Sequence, residues 1–190
     1  MSPEFHFSGG SIEVITGCMF SGKTEEMLKR VERAEMAGRD VAVFIPETDD
    51  RYGEEKVGSH SGREWSAEVV SPEQPNIETG ADVVAVDEAN FFQGSLVEEC
   101  QRLASEGKRV IVSGIDSTFR GEPFEPVPEL MSVAEYVDKL RAVCAVCGKP
   151  ASRNQRIVDG EPAHVDDPTV VVGADEKYEP RCRNCHEVRR

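Results

Sequence analysis

Apolar residues in this chain gather into short continuous runs, which are typical of strands covered on both faces of a sheet. Four runs have this character: SIEVIT (11–16), DVAVFI (40–45), DVVAVDEANFF (82–92) and RVIVSGID (109–116). Segments with helical spacing of apolar residues separate the first run from the second and the third from the fourth. The pattern therefore predicts an alternation of strands and helices.

Two helices are predicted between these strands. The first extends from residue 23 to about residue 37, with its apolar side chains on one face and Gly38 as its stop. The second begins near Ser95, where Ser95 and Glu98 match a capping box, and it ends at Gly107. Strand–helix–strand units build parallel sheets with right-handed crossovers, so we expect an open, doubly wound α/β sheet.

Other segments lack this regularity. Residues 46–80 are rich in charges, Gly and Pro, and only EVV (68–70) is predicted to form a short strand. RGEPFEPVPEL (120–130) contains three prolines and is predicted to be a loop. Beyond about residue 141, short β-like runs such as RIV (156–158) and TVVV (169–172) lie between turn signals.

The stretch GCMFSGKT (17–24) fits the pattern G-x-x-x-x-G-K-[ST], between a predicted strand and a predicted helix. The glycines let the backbone curl so that successive N–H groups point at one phosphate, beside the positive end of the helix. Lys23 would reach the β- and γ-phosphates of ATP, and the Thr24 hydroxyl would hold Mg²⁺. The alternative is a glycine turn with an exposed lysine. We predict a P-loop NTPase-like open parallel sheet, with these ATP-binding residues: Gly17, Cys18, Met19, Phe20, Ser21, Gly22, Lys23 and Thr24.

Two adjacent acids end the third apolar run. Asp87 fits the carboxylate that helps to hold Mg²⁺ in such sites. Glu88 follows it, and alternation along a strand would send the two side chains in different directions. Glu88 could therefore face an acceptor hydroxyl, or it could be an ordinary solvated residue at a strand end.

Six cysteines occur in the chain, and four of them form two C-x-x-C pairs, Cys144 with Cys147 and Cys182 with Cys185. Two such pairs can supply four thiolates to one tetrahedral Zn²⁺, and a closed four-sulfur site is structural. Redox-active thiols are the alternative. The chain is thus expected to divide into a P-loop α/β ATP-binding domain and a small C-terminal zinc-binding lobe with a substrate lid, residues 1–140 and 141–190.

Within the predicted lobe, TVVVGADEKYEP (169–180) is a candidate substrate lid because the insertion between the cysteine pairs is long enough to cover a cleft. His164 and His186 are expected to be surface residues and not metal ligands. Cys18 and Cys100 are expected to be free thiols.

The overall charge limits the classes of partner. The formal net charge is -14, with 36 acidic and 22 basic residues. This charge argues against sequence-independent binding to the phosphates of nucleic acid. This acidity fits either a salt-rich cytoplasm or an ordinary soluble surface. The first residues do not look like a secretory signal, and no apolar stretch reaches membrane-spanning length. We expect a soluble, cytoplasmic protein that binds neither nucleic acid nor a membrane.

The phosphate loop, DEANFF (87–92), STFRGEPF (117–124) and the two cysteine pairs occur in an order that closely resembles the thymidine kinases of the zinc-containing cellular type. The resemblance extends from about residue 11 to residue 187. It implies transfer of the γ-phosphoryl group of ATP to the 5'-hydroxyl of thymidine or deoxyuridine, in nucleotide salvage for DNA synthesis. It also implies a homotetramer and feedback inhibition by thymidine triphosphate.

The resemblance assigns roles around the phosphates. Glu88 becomes the general base that receives the 5'-hydroxyl proton, and Asp87 stays with the magnesium ion. Asp49 and Arg51 match an acid and an arginine near the phosphates and magnesium, and Asn90 joins the residues around ATP.

The resemblance also implies a site for the nucleoside. The residues around the thymine ring would be Met19, Phe91, Ile115, Phe119 and Phe124. The lid residues whose backbone reads the base edge would be Thr169, Val170, Val171, Val172 and Gly173. Tyr178 matches a tyrosine that meets the sugar, and Asn154 falls where relatives often carry threonine near the thymine 5-methyl group.

A second hypothesis is an ATP-driven switch or binding protein, in which the zinc lobe contacts a macromolecule and hydrolysis only gates it. The absence of a face rich in Lys and Arg counts against nucleic acid as that partner. A switch would be indifferent to thymidine, so nucleoside-stimulated consumption of ATP distinguishes the two hypotheses.

Overall fold

The computed structural model describes residues 9–47, 56–58, 64–169 and 177–190. In these ranges no helix is both long enough and apolar enough to cross a membrane. The helices are α1 (Lys23–Met36), α2 (Ser95–Ser105) and α3 (Val127–Val133), with a short 3-10 helix at Ala89–Phe91. The strands are β1 (Ser11–Gly17), β2 (Val41–Pro46), β3 (Lys56–Gly58), β4 (Glu64–Ser66), β5 (Glu68–Val70), β6 (Val83–Val86), β7 (Arg109–Gly114), β8 (Tyr136–Leu140), β9 (Ala142–Val143), β10 (Pro150–Ala151), β11 (Arg153–Val158), β12 (Glu161–Pro162) and β13 (Lys177–Arg181).

Six strands form one sheet in the order β5-β2-β6-β7-β1-β8, and every neighbouring pair runs parallel. The prediction of an open parallel α/β sheet is therefore confirmed. All the carboxyl ends meet at one edge, so the loops that follow β1, β6 and β7 lie side by side. Ligands of such sheets bind at this edge.

The continuous apolar runs bury both faces of the sheet. Ile15 and Ile111 belong to the cluster that packs against α1, whereas Val14 and Val112 belong to the opposite cluster, which includes residues of α2 and α3. Successive residues of a strand point to opposite faces, and both faces here carry helices. This is why the strands show no alternation of apolar and polar residues.

The ends of the helices partly follow the sequence pattern. Gly38 and Gly107 follow the helix ends with φ of +74° and +89°, a left-handed conformation that glycine adopts readily. The predicted capping box at α2 is wrong, because Gly94 is the N-cap and no side chain caps the helix. Ser95 instead donates its hydroxyl to the carbonyl oxygen of Glu73 at 2.8 Å, which ties the helix start to the preceding loop.

Three further elements were not predicted. Residues 127–130 are not loop but the start of α3, where a proline is tolerated because the first helical N–H groups have no helical partner. The segment after α3 forms β8, which pairs with β1 at the sheet edge from Glu13–Tyr136 to Gly17–Leu140. The charged region before β5 contains a short hairpin of β3 and β4.

The C-terminal lobe, residues 141–190, consists in its described part of two small sheets. β9 pairs with β10, and β11 lies between β12 and β13. β11 contains the predicted run RIV, whereas most of TVVV lies outside the described residues. The division into two domains stays a prediction.

Candidate active site

The phosphate loop leaves β1 and turns sharply into α1. Gly17 has φ of +146°, and a Cβ atom there would lie 2.6 Å from the carbonyl oxygen of Leu140 and 2.8 Å from Oγ of Ser21. Gly22 has φ of +86° at the position before α1. Both glycines are therefore required by conformation, and Gly17 also by space.

Lys23 lies over this loop. Its Nζ donates to the carbonyl oxygen of Cys18 at 3.0 Å, so the ammonium group spans the turn. Burial lowers the pKa of Lys23, and the negative charges of Glu88 and Asp87 oppose that shift. The loop thus holds a cation beside two carboxylates, which excludes an ordinary glycine turn with a solvent-exposed lysine.

Thr24 and Asp87 meet as predicted. Oγ1 of Thr24 donates to Oδ2 of Asp87 at 2.9 Å, and Asp87 is 4% exposed. A hydroxyl and a carboxylate beside a phosphate cradle are oxygen ligands of the kind that Mg²⁺ prefers. The residues present therefore fit a magnesium ion.

Glu88 follows Asp87 in a strained conformation. Its φ is +54°, which is rare for a residue with a side chain, and its N–H donates to Oδ1 of Asp87 at 2.9 Å. The side chain is half-buried, and its negative charge acts to raise the pKa of Lys23. Backbone strain of this kind is concentrated at functional sites, which fits a functional role for Glu88.

Three polar atoms in the loops at this edge are buried and have no hydrogen-bond partner among the described residues, and one of them is Oδ1 of Asp116, after β7. The other two are Oγ of Ser21, inside the phosphate loop, and Nδ2 of Asn90. Oδ1 of Asn90 accepts the N–H of Ile115 at 2.9 Å, which joins the loops after β6 and β7. Buried polar groups are normally paired, so orphaned groups here fit a site that a polar ligand completes.

The aromatic residues predicted around the thymine ring are in different environments. Phe119 is 3% exposed, and the guanidinium carbons of Arg120 and Arg156 lie 4.5 and 5.4 Å from its ring centroid. Phe91 and Phe124 are half-buried in the loops after β6 and β7. Met19 and Ile115 are also half-buried, in the phosphate loop and immediately after β7.

Arg120 connects Phe119 to the start of the predicted lid. Its Nη1 donates to Oγ1 of Thr169 at 2.6 Å, and its Nε donates to the carbonyl oxygen of Val165 at 2.6 Å. Tyr178 lies on β13, opposite Arg156 of β11. The other predicted residues lie outside the described part of the chain: Asp49, Arg51, Val170, Val171, Val172 and Gly173.

The four cysteines of the two C-x-x-C pairs come together, as predicted. Their sulfur atoms all lie within 4.8 Å of one another, and Sγ of Cys147 is 3.6 Å from Sγ of Cys182. That separation is too long for a disulfide, whereas sulfurs around tetrahedral zinc are about 3.8 Å apart. All six cysteines of the chain are free. The cluster therefore fits a structural zinc ion.

Hydrogen bonds lower the pKa of Cys144 and of Cys182, whereas hydrogen bonds with the neighbouring thiols of Cys182 and Cys147 raise the pKa of Cys185 to about 12. Burial raises the pKa of Cys144, but backbone N–H groups of Cys182, Cys147 and Val146 direct hydrogen bonds to the sulfur, and the resulting pKa is about 6. Neither predicted surface histidine belongs to the cluster. Nε2 of His186 lies 2.7 Å from the carbonyl oxygen of Phe119.

Two features of the site were not predicted. Asp116 ends the fourth apolar run, as Asp87 ends the third, and it is 6% exposed in contact with Lys139 of β8. The sequence signal for Asp116 was available in RVIVSGID, but its partner lies on a strand that was not predicted. The second feature is Asn154, which reaches the phosphate loop itself: its Oδ1 accepts the N–H of Met19 at 2.7 Å.

Comparison with known proteins agrees with this site. The family model described as "Thymidine kinase" matches residues 10–186. The chain is 63% identical over 189 residues to a protein named "Thymidine kinase" from Halobacterium salinarum (strain ATCC 29341 / DSM 671 / R1), covering 96% of this chain and 97% of that protein. It is 54% identical over 218 residues to a "Thymidine kinase" from Haloquadratum walsbyi (strain DSM 16790 / HBSQ001), with the same coverage of each.

Proposed function

The chain belongs to the thymidine kinase family, and from this premise we propose that it transfers the γ-phosphoryl group of ATP to the 5'-hydroxyl of thymidine or deoxyuridine. The observation that carries the proposal is the phosphate loop at the carboxyl edge of the parallel sheet. There Lys23, the Thr24–Asp87 pair and Glu88 lie together.

The loop binds the phosphates of ATP through backbone N–H groups and Lys23. Lys23 is already placed across the turn, so its charge is available without a large rearrangement. Thr24 and Asp87 would hold a magnesium ion, which supplies positive charge to the phosphate oxygens when it is bound. Asp49 and Arg51 are proposed to complete this part of the site, on the resemblance alone.

Glu88 acts as the general base. Asp87 accepts the hydroxyl of Thr24, and the charge of Glu88 acts on Lys23, so we assign Asp87 to the metal ion and Glu88 to the proton of the 5'-hydroxyl. Catalysis in this reaction class depends on positioning and electrostatics more than on covalent chemistry.

The nucleoside binds between the loops after β6 and β7 and the lid. The thymine ring is proposed to contact Phe91, Ile115, Phe119, Phe124 and Met19. The backbone of residues 169–173 is proposed to contact the edge of the base, and Tyr178 the sugar. The hydrogen bond of Arg120 with Thr169 supports this arrangement, because it holds the start of the lid beside Phe119.

Further properties are proposed from the family resemblance. These are a homotetramer, feedback inhibition by thymidine triphosphate and a cytoplasmic location. The free thiols of the four-cysteine cluster support the location, because thiols persist in reducing compartments. Zinc is proposed to be structural, because four cysteines leave no open position for a substrate.

The experiment that tests the function is ADP formation with Mg²⁺ and each common nucleoside in turn. We expect turnover only with thymidine or deoxyuridine. ADP formation at one rate with every nucleoside, and without any, would contradict the kinase function and support an ATP-driven switch.

A further inference from the structure

Strand β11 of the C-terminal lobe carries three successive polar side chains that are almost fully buried. Asn154, Gln155 and Arg156 are 3%, 2% and 3% exposed. Successive residues of a strand point to opposite faces, so β11 carries buried polar side chains on both of its faces. Buried amides require partners, and the partners differ from residue to residue.

Asn154 joins two loops of the candidate active site. Its Oδ1 accepts the N–H of Met19 at 2.7 Å, and its Nδ2 donates to the carbonyl oxygen of Ser117 at 2.8 Å. Met19 is the third residue of the phosphate loop, and Ser117 follows β7. Because a backbone N–H only donates and a carbonyl oxygen only accepts, this amide orientation is the one that satisfies both.

The neighbouring residue Gln155 makes comparable contacts elsewhere. Its Nε2 donates to the carbonyl oxygen of Glu187 at 2.8 Å, and its Oε1 accepts the N–H of Glu187 at 2.8 Å. These bonds fasten the segment after the second cysteine pair. Nε2 of Gln155 also donates to the carbonyl oxygen of Arg156 at 3.1 Å. Gln155 therefore matches Asn154 in burial, and its amide is also fully paired, but it does not contact the phosphate loop.

A second contact ties the phosphate loop to the lobe. Sγ of Cys18 lies 3.4 Å from the carbonyl oxygen of Ala151 on β10. Cys18 and Ala151 also share one small buried cluster with Cys144 and Cys182. The phosphate loop thus packs on the interior of the lobe.

A short backbone path leads from Asn154 to the cysteine cluster. Asn154 pairs with Pro180 of β13 in the strand register, and the carbonyl oxygen of Pro180 accepts the N–H of Ala145 at 2.9 Å. Ala145 lies between Cys144 and Cys147. The phosphate loop and the four-cysteine cluster are therefore connected through the paired strands β11 and β13, by the Asn154 side chain at one end and by the Ala145–Pro180 hydrogen bond at the other.

We propose that Asn154 is a positioning residue for ATP: it fixes the phosphate loop at Met19 and Ser117 in the curvature that receives the phosphates. The inference rests on the proposed function, because it takes this loop as the ATP site. Both polar ends of Asn154 are committed to the protein. Its side chain thus acts through the phosphate loop and not as a polar contact to the base. A loop that is fixed before binding loses less freedom when ATP arrives.

The test compares Asn154→Leu, similar in size but unable to form either hydrogen bond, with Gln155→Met as the matched control. The measurements are the Kd for ATP by calorimetry, KM for thymidine and for deoxyuridine, and zinc per chain. We expect Asn154→Leu to raise the Kd for ATP about tenfold, as for the loss of one to two hydrogen bonds, with zinc unchanged. Gln155→Met should leave the Kd within about twofold.

Three results would overturn the inference: an unchanged Kd for ATP in Asn154→Leu, an equal rise in Gln155→Met, or a change confined to the ratio of thymidine to deoxyuridine KM. If Asn154→Leu does not fold, Asn154→Thr replaces it, since one hydroxyl can serve one of the two loops. The expected rise is then about threefold, and an unchanged Kd again overturns the inference. A wild-type protein that fails to bind ATP would contradict the proposed function itself, which separates the two failures.

Discussion

The parallel sheet and the C-terminal lobe are held together by different interactions. The sheet buries rows of Val, Ile and Leu against helices on both faces. The lobe's buried apolar cluster has only five members. Four of them belong to the lobe, including two of the paired cysteines, and the fifth is Cys18 of the phosphate loop. Buried polar side chains on β11 add hydrogen bonds within the lobe and from the lobe to the loop after β7.

This difference has a consequence for function. A core of apolar side chains is stable without a ligand, whereas a lobe of this size needs a metal or a partner to remain folded. The phosphate loop lies where the two regions meet, held by β1 on one side and by Asn154 on the other. ATP binding is therefore expected to depend on both regions.

The largest expected effect is the loss of zinc from the lobe. Cys147→Ser removes one of four thiolates, and structural zinc contributes on the order of 10 kcal/mol in small sites. We expect zinc per chain to fall to near zero by atomic absorption, and residues 141–190 to become sensitive to protease while the sheet stays resistant.

The matched control for this change is Cys100→Ser, a buried cysteine of α2 outside the cluster. It should keep its zinc. Full zinc content in Cys147→Ser would show that the four cysteines do not form the metal site.

The next effect concerns the sheet edge. Glu88→Gln keeps the size of the side chain but removes the proton acceptor, so turnover should fall by about 10²- to 10⁴-fold with nearly unchanged affinity for ATP. Steady-state kinetics and calorimetry measure the two quantities. Glu98→Gln, at an exposed position on α2, is the control and should leave turnover normal. Near-normal turnover in Glu88→Gln would show that Glu88 is not the general base.

A third change tests the apolar core of the sheet. Leu103 of α2 is fully buried, and Leu103→Ala should lower the free energy of unfolding by about 2–5 kcal/mol in urea denaturation. Zinc content should not change. Met36→Ala, at a side chain that is 87% exposed, should stay within about 0.5 kcal/mol. Equal effects of the two substitutions would contradict the core assigned to α2.

The smallest effect concerns a polar contact of the sheet region. The hydrogen bonds from Arg102 lower the pKa of Glu99, which also accepts the N–H of Ile77 at 2.7 Å. A lowered carboxyl pKa stabilises the fold above the unfolded-state pKa of about 4.3, and this stability disappears as the pH falls through the folded-state pKa. Because Arg102 is 40% exposed, Glu99→Gln should cost only about 0.5–1.5 kcal/mol at pH 7.

The measurement is urea denaturation of wild type and Glu99→Gln at pH 7 and at successively lower pH. The difference between the two proteins should shrink as the pH drops below about 4. A difference that stays constant over this range would mean that the charge of Glu99 contributes nothing.

The sequence was informative wherever one local pattern decides the structure. The apolar runs predicted β1, β2, β6 and β7. The phosphate-loop pattern and the acidic end of the third run predicted that Thr24 and Asp87 would serve one site, because glycine spacing and strand ends are short-range features. The cysteine pairs predicted the cluster for the same reason: metal-ligand spacing is encoded in a few residues.

The remainder depends on contacts between distant segments. β8 carries a charged sequence and is a strand because it pairs with β1, more than a hundred residues away along the chain. Ser95 contacts the carbonyl oxygen of Glu73 instead of capping its own helix. Asn154 is a polar residue in a polar stretch, and only the folded chain brings it to Met19.

We propose that the phosphate loop serves transfer of a phosphoryl group to the 5'-hydroxyl of the nucleoside. The most direct measurement incubates γ-labelled ATP and Mg²⁺ with thymidine or with 5'-deoxythymidine, which lacks the acceptor hydroxyl, and follows both the label and ADP. We expect labelled thymidine monophosphate and ADP in equal amounts with thymidine, and neither product with the analogue. ADP formation at the same rate with both nucleosides, without labelled nucleotide, would contradict it.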